Sequence, residues 1–548
     1  MRNNWNKTGT RRRAGVLAPL FLVYPKNSAR TGCLEDLKLL IDWCKKTGNS
    51  ILQLLPMNAV GSHRCPYDAL SSFALEPSYL HQAGRKRVYS KEFKHFVEDN
   101  SYWISDFALY KVIKRSQRNR PWYEWPKPYK GRDAAALKDF QRTHADEIRF
   151  QMWLQWQLHE QFKEAKRYAK SRGVFLKGDL PVLVSRDSAD VWAHREFFKL
   201  EFAAGAPPDA YCAKGQRWGM PTYNWEVIAR DGYRYLKEKL KYAENFYDML
   251  RIDHVVGLFR IWSIPYNEPL ENKGLNGLFD PRDENQWEDH GRRILSVIVE
   301  NTKMLICAED LGIIPGCCPK VLEELGIPGN DVQRWVKDWN VRHDFLEPKE
   351  YRRLSVAMLS THDTTNWPAW WKYEAGTVDE DLFKRMCASR GIDFASVSNR
   401  LFNPKLSKHG RLRWLDTIGS ADILASILGR NKQDILDFAA LYENTFYEKE
   451  KLWKKLKMAG PMQEDANRDL IEKALRITSD SNSIFAINTI IDLLFLTGAF
   501  KGAPYKYRIN TPGTKNAKNW SFKLPISLEE LLKDKICSRI KWVSSRSS

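Results

Sequence analysis

Residues 249–262 read MLRIDHVVGLFRIW, an apolar run interrupted by Arg251, Asp253 and His254. A buried strand would carry Val or Ile where Asp253 stands, so the acid closes the run. Strand alternation places Arg251 and Asp253 on the same side, two residues apart. The guanidinium can then orient the carboxylate and hold it ionised, which lowers its pKa. Taken alone, an Arg and an Asp so spaced are often only a structural ion pair. What decides the matter is whether the pattern recurs.

Seven further short apolar runs end in polar, Gly or Pro residues: 15–23 (GVLAPLFLV), 50–56 (SILQLLP), 174–181 (VFLKGDLP), 304–309 (MLICAE), 331–335 (DVQRW), 356–363 (VAMLSTHD) and 483–489 (SIFAINT). Helical segments separate them, such as 35–48 (EDLKLLIDWCKKTG), with apolar residues at 37, 40, 41 and 44 and Gly48 at its stop. Short buried strands alternating with helices argue for a parallel α/β fold. Eight runs predict a (β/α)8 TIM barrel. No linker, repeat or composition shift divides residues 1–548, so the chain reads as a single catalytic domain. Helix-rich insertions near 66–170 and 377–470 are expected around the C-terminal mouth, as walls of a substrate cleft.

Composition removes several functions. An apolar fraction of 43% and a charged fraction of 28% are those of a soluble globular protein. No apolar run is long enough to span a membrane; the stretch 483–500 is broken by Asn488, Asp492 and Gly498. Three arginines precede the first apolar segment, but Pro19 and Pro25 break it and no A-x-A-like site closes it, so a cytoplasmic location is expected. Nine scattered cysteines without zinc spacing read as reduced structural thiols, with no metal site. The net charge is +20, yet the Lys/Arg runs are short and mostly interleaved with Glu or aromatics, and no nucleic-acid module appears. No nucleic-acid partner is expected, and the excess reads as solvated surface. Of 21 tryptophans, Trp218, Trp225, Trp367, Trp370 and Trp371 sit beside polar or turn residues, as flat rings in a sugar-binding groove would.

Asp253, Glu309 and Asp363 each close an apolar run, and the C-terminal strand ends of a parallel barrel carry its chemistry. An ionised Asp253 suits a nucleophile. Glu309, after an apolar strand, is partly desolvated, which raises its pKa and suits a general acid. Such a pair is the apparatus of retaining glycoside cleavage. Asp363, preceded by His362, can bind neighbouring sugar hydroxyls and help distort the ring. Asp310 in AEDLG reads as a helix cap.

The chain resembles the 4-α-glucanotransferases, the amylomaltase or disproportionating-enzyme family (glycoside hydrolase family 77). The resemblance rests on 13–21 (RAGVLAPLF), 65–80 (CPYDALSSFALEPSYL), 177–182 (KGDLPV), 205–226 (GAPPDAYCAKGQRWGMPTYNWE), 250–262 (LRIDHVVGLFRIW), 308–315 (AEDLGIIP), 359–363 (LSTHD) and 508–525 (RINTPGTKNAKNWSFKLP), in the family's order along nearly the whole chain. It implies Asp253 as nucleophile, Glu309 as acid/base and Asp363 as transition-state stabiliser. It also implies sugar contacts from Arg251, His362, Tyr67, Asp209, Gln216, Trp218 and Asn510, and from Asp179, which otherwise reads as an organiser of the turn before Leu180 and Pro181. The implied reaction moves α-1,4 segments between maltooligosaccharides and glycogen- or starch-like polymers, with no cofactor or metal. The segments 24–32 (YPKNSARTG) and 61–68 (GSHRCPYD) depart from the family pattern, with Cys65 where Ser is usual, and resemble the subgroup that uses maltose and a polymeric acceptor. An α-glucan hydrolase on the same site and a non-catalytic glucan- or polyanion-binding protein are the alternatives. The sequence leaves the oligomeric state open.

Overall fold

Each of the eight apolar runs contains or overlaps a strand. In the computed structural model, which describes residues 3–26, 30–61, 63–81, 90–209 and 214–546, these strands are β1 (Arg13–Leu17), β2 (Ile51–Gln53), β3 (Phe175–Leu180), β4 (Met249–Ile252), β5 (Leu305–Ala308), β6 (Gly329–Val332), β7 (Ser355–Met358) and β8 (Phe485–Thr489). Every one of their residues except Phe175 is buried. Burial on both faces explains why they read as continuous apolar runs rather than as alternating patterns. β6 starts two residues earlier than the apolar run, and Gln333–Trp335 turns as a 3-10 helix.

All seven pairings are parallel, in the order β5-β4-β3-β2-β1-β8-β7-β6. The remaining gap, between β5 and β6, is spanned where the Ala308 N–H donates to the Pro328 carbonyl at 2.8 Å. The chain therefore folds as a near-closed eight-stranded TIM-like barrel. Gly178, inside β3, has no room for a side chain: a Cβ there would lie 2.6 Å from the Tyr247 ring. That contact accounts for the glycine before Asp179.

The connection from β2 to β3 carries the helices Lys91–Asp99, Ser101–Ser116, Ala134–Thr143 and Ala145–Arg172. The last of these ends on Gly173 in the left-handed conformation (φ 71°). The connection from β7 to β8 builds a separate apolar core around Phe383, Phe402, Trp414, Phe438 and Tyr442, beside the hairpin of Thr377–Asp379 with Arg411–Arg413. A four-stranded antiparallel sheet joins Leu278–Asp280, Ile261–Pro265, Phe202–Ala206 and Gln216–Arg217. It corresponds to no expectation from the sequence, since strands of two to five residues leave little periodicity to read.

One expectation fails here. Trp367 and Trp371 are 0% exposed and Trp370 is 4% exposed, so these rings are core and line no groove. Trp367 and Trp371 stack at 5.7 Å, and the Trp367 indole N–H donates to Gln333 Oε1 at 2.6 Å. The polar neighbour that suggested a sugar platform, Asn366, caps the short helix Trp367–Ala369 and donates to the Pro504 and Tyr507 carbonyls, while the buried indole of Trp371 donates to the distant Gln463 carbonyl at 3.1 Å.

Candidate active site

Strand register assembles the centre. Asp179 on β3 is paired with Arg251 on β4, and Ala308 on β5 with Ile252, so Glu309 and Asp253 emerge side by side one residue further on. The Glu309 N–H donates to the Ile252 carbonyl at 2.9 Å, and the Asp253 N–H to the Leu180 carbonyl at 3.1 Å. Three adjacent strands thus deliver three carboxylates to the C-terminal mouth, around one guanidinium.

Arg251 is buried, and its Nη1 donates to both Asp179 oxygens, at 2.6 and 2.7 Å, and to Asp253 Oδ1 at 3.0 Å. Its Nη2 lies 4.0 Å from Glu309 Oε2. Glu309 Oε2 accepts a further hydrogen bond from the His254 backbone N–H at 2.7 Å. His254 adopts the left-handed conformation (φ 45°) to aim that N–H, a strain found mainly at functional sites and worth about 1 kcal/mol or more. The His254 ring packs edge-on against Trp218 at 4.8 Å, and the Trp218 indole N–H donates to Gln216 Oε1 at 3.1 Å. The Trp218 backbone is fixed by its N–H bond to the Ala204 carbonyl at 2.9 Å, so the small antiparallel sheet sets the position of this wall.

The opposite wall is built on Tyr67. Its hydroxyl donates to Asp179 Oδ2 at 2.8 Å, and its ring stacks on His362 at 5.1 Å. Asp363 follows, with Oδ1 accepting from Asn510 Nδ2 at 2.7 Å and Oδ2 lying 3.4 Å from His362 Nε2. That His362 nitrogen is buried and, apart from the Asp363 carboxylate beside it, faces no polar partner. Asp363 lies in the loop after β7, five residues beyond Met358, where Asn510 and Arg508, which donates to the Asp363 carbonyl at 3.2 Å, hold it.

Of the expected site residues, Tyr67, Asp179, Arg251, Asp253, Glu309, His362, Asp363 and Asn510 form one connected network, and Gln216 and Trp218 join it through His254. Asp209 borders residues 210–213, which lie outside the described residues, as do residues 27–29 and 62 of the two departing segments. Cys65 is half-buried, and burial pushes its thiol up to about 12, so it stays protonated. The sequence singled out neither the His254 N–H nor Trp520, whose ring lies 5.9 Å from Tyr67 and 6.0 Å from His362. The only signal for Trp520 is its place in the segment 508–525. Asp310 caps no helix: it accepts from the Asn330 N–H at 2.6 Å and from Arg352 at 2.7 Å.

The electrostatics correct one further expectation. Burial pushes Asp253 up, and Arg251, already committed to Asp179, does not offset it, so the carboxyl titrates at about 6 instead of below its usual range. Burial raises Glu309 well above the ordinary glutamate value, and the adjacent Asp253 charge adds to the effect. Burial also works against ionised Asp363, but His362 and the Asn510 hydrogen bond outweigh it and hold the carboxyl at about 2. The centre therefore combines an Asp253 that ionises near 6, a Glu309 whose hold on its proton is strengthened, and an ionised Asp363. Shifts in this order favour the division of labour of a retaining pair, with the proton on Glu309 and the charge on Asp253. Among the described residues, no group of three or more His, Cys, Asp or Glu is placed to hold a metal ion.

A family model described as 4-alpha-glucanotransferase, of glycoside hydrolase family 77, matches residues 18–84 and 81–528. A 4-alpha-glucanotransferase of Chlamydia pneumoniae is 31% identical over 576 residues, covering 96% of this chain and 94% of its own. One from Chlamydia caviae is 30% identical over 580 residues, covering 97% and 94%. Among solved structures, an amylomaltase from Streptococcus agalactiae in complex with acarbose superposes with a TM-score of 0.72 at 19% identity, covering 98% of this chain and all of its own. That last likeness concerns the fold.

Proposed function

The chain belongs to the 4-alpha-glucanotransferase family, glycoside hydrolase family 77, and is an enzyme transferring α-1,4-glucan segments; from that premise we propose that it works by a retaining double displacement centred on Asp253 and Glu309. The observation that carries the proposal is the pair of carboxylates on either side of Arg251, one at 3.0 Å and the other at 4.0 Å from its two terminal nitrogens.

Asp253 attacks the anomeric carbon while Glu309 gives its proton to the leaving oxygen, and a covalent glucosyl- or maltooligosyl-enzyme forms. Glu309, now a base, takes the proton from the 4-hydroxyl of a second glucan chain, which attacks the same carbon and regenerates Asp253. Configuration is retained because each step inverts. Asp363, His362 and Asn510 bind the hydroxyls of the reacting glucose and favour its distorted ring. Tyr67 and Asp179 hold Arg251, and Arg251 orients both reacting carboxylates. Gln216 and Trp218 on one wall and Asn510 on the other enclose the bound chain, with Asp209 beside them, and limit competition by water. In a closed, liganded state the two carboxyls are expected ~5–5.5 Å apart. Donors and acceptors are maltooligosaccharides and starch- or glycogen-like polymers, and no step needs a cofactor. The insertions at 66–170 and 377–470 belong to the same catalytic unit. No helix among the described residues is long and apolar enough to cross a membrane.

Incubation with maltotriose tests the reading. A transferase gives glucose together with a ladder of longer oligosaccharides. A hydrolase gives shorter products only, and that result overturns the second displacement as written.

A further inference from the structure

The net charge of +20 has no role in the transfer of a neutral glucan. Part of it is concentrated at the end of the barrel away from the acids. Arg12 lies immediately before β1, Arg353 two residues before β7, and the turn 481–483 just before β8, and these three strands are neighbours in the order β1-β8-β7. The N-terminal face of a TIM barrel is not where its catalysis occurs. With strands of four to five residues here at ~3.3 Å per residue, it lies roughly 15 Å from the mouth.

Three guanidinium groups converge on that turn. Arg12 Nη2 donates to the Ser481 carbonyl and, at 3.1 Å, to that of Ser479. Arg546, beyond the last helix Asp534–Ser544, donates through Nη2 to the same Ser481 oxygen at 3.0 Å and to the Ser483 oxygen, and through Nη1 to the Arg13 oxygen at 3.3 Å. Arg353 donates to the Asn482 carbonyl at 3.4 Å and the Thr10 carbonyl at 3.0 Å. Backbone carbonyls thus hold all three groups in place, yet they neutralise no charge.

Among the described residues no carboxylate is paired with any of the three. The acid beside the turn, Asp480, is paired with Arg476, and its charge reaches Arg12 and Arg546 only from beyond ion-pair distance, where burial and the neighbouring arginines outweigh it. The Nε atoms of Arg12 and Arg546 are buried without a hydrogen-bond partner, a condition that costs more for charged groups than for neutral ones. Burial and the proximity of Arg12 and Arg353 bring the Arg546 guanidinium down to about 9. Arg353 is exposed and opens the cluster to solvent. Guanidinium forks are matched to the geometry of phosphate oxygens, and one tetrahedral dianion can accept from several at once.

We propose that Arg12, Arg353 and Arg546 form an oxyanion site on the N-terminal face of the barrel, which takes inorganic phosphate or the phosphate group of a phosphate monoester. The cluster centres on a single turn, so it fits one phosphate group rather than a polymer.

Isothermal titration calorimetry on the full chain tests this, with inorganic phosphate and with α-D-glucose 1-phosphate as separate probes and chloride making up constant ionic strength. Saturable binding of one equivalent is expected. It should weaken by ~10–100-fold in Arg353→Gln, as the loss of one charged hydrogen-bonding group predicts, and by a similar factor in Arg12→Gln. It should be unchanged in Lys405→Gln and Lys454→Gln, which remove charge elsewhere. Tighter binding of the sugar phosphate assigns the site to monoesters, and equal binding assigns it to free phosphate. Arg353→Gln should keep full transfer activity on maltotriose without phosphate, which shows that it folds. Heat no greater than that of a chloride injection, equal loss in the lysine variants, or binding only of a long polyphosphate would each overturn the proposal.

Discussion

Asp253→Asn separates a nucleophile from a structural ion pair, because the two roles predict stability changes of opposite sign. Burial lifts the Asp253 carboxyl to about 6 from the ordinary aspartate value of 3.8. A raised folded-state pKa means that the folded chain holds the proton more tightly than the unfolded chain does. The stability from that proton is fully present below pH ~4 and is lost as pH rises through about 6. A gap of about two pH units is worth ~3 kcal/mol at 1.36 kcal/mol per unit, and because the side chain is 23% exposed, solvent screening makes this an upper bound. Asparagine keeps the shape without the charge. Arg251 stays satisfied in the variant, since its two shortest hydrogen bonds, 2.6 and 2.7 Å, go to Asp179. Asp253→Asn should therefore match wild type near pH 4 and become the more stable protein above pH 6, by up to ~3 kcal/mol, while losing transfer by ~10⁴-fold or more. Scanning calorimetry from pH 4 to 8, with product analysis on maltotriose, reads both. A variant less stable than wild type at pH 8 would mean that Asp253 is the partner Arg251 depends on. Retained activity would remove Asp253 from the chemistry altogether.

Two further substitutions probe the same network. Glu309→Gln should reduce transfer by ~10²–10⁴-fold, as for loss of a general acid. Wild-type rates should rise with pH through about 6 as Asp253 ionises and fall on the alkaline side as Glu309 deprotonates, and the Gln variant's residual rate should lack the alkaline fall in initial rates from pH 5 to 9. Asp179→Asn removes the partner of a guanidinium that is only 8% exposed and should destabilise the chain by ~3 kcal/mol or more at pH 7. Urea titration reads this change, which is opposite in sign to that of Asp253→Asn, and a neutral result would show that Arg251 is held by something else.

The barrel was legible in the sequence because strands buried on both faces leave continuous apolar runs, and an acid ending such a run stands out, as Asp253 and Glu309 do. Asp363 was found for a partly wrong reason, since it belongs to a loop five residues past β7 and owes its place to Asn510. What stayed hidden depends on pairing between distant segments. The bond between Asp179 and Arg251 joins residues 72 apart and becomes visible only once β3 and β4 are in register. The His254 N–H on Glu309 is a backbone conformation that no residue type encodes uniquely. The tryptophans show the limit of local context, for Trp218 and Trp367 both have polar neighbours, yet one lines the mouth and the other is fully buried.

Arg251 shows why the nucleophile is not the residue that the guanidinium holds most tightly. A bidentate grip on Asp253 would keep it ionised, but it would also lower its pKa and with it the basicity that attack on carbon draws upon. Here that grip belongs to Asp179, which with Tyr67 fixes the guanidinium from below. Asp253 receives a single bond at 3.0 Å and Glu309 only a 4.0 Å approach. Asp253 is therefore oriented and ionised at neutral pH while its pKa remains above the usual carboxylate range, and burial raises Glu309 well above its ordinary value because the distant guanidinium offsets only part of it. Pulling Arg251 away from Asp179 and toward Asp253 would make a stronger ion pair and a weaker nucleophile. The acid that first looked like an interruption in the run 249–262 is set apart by how little of its neighbouring arginine it receives.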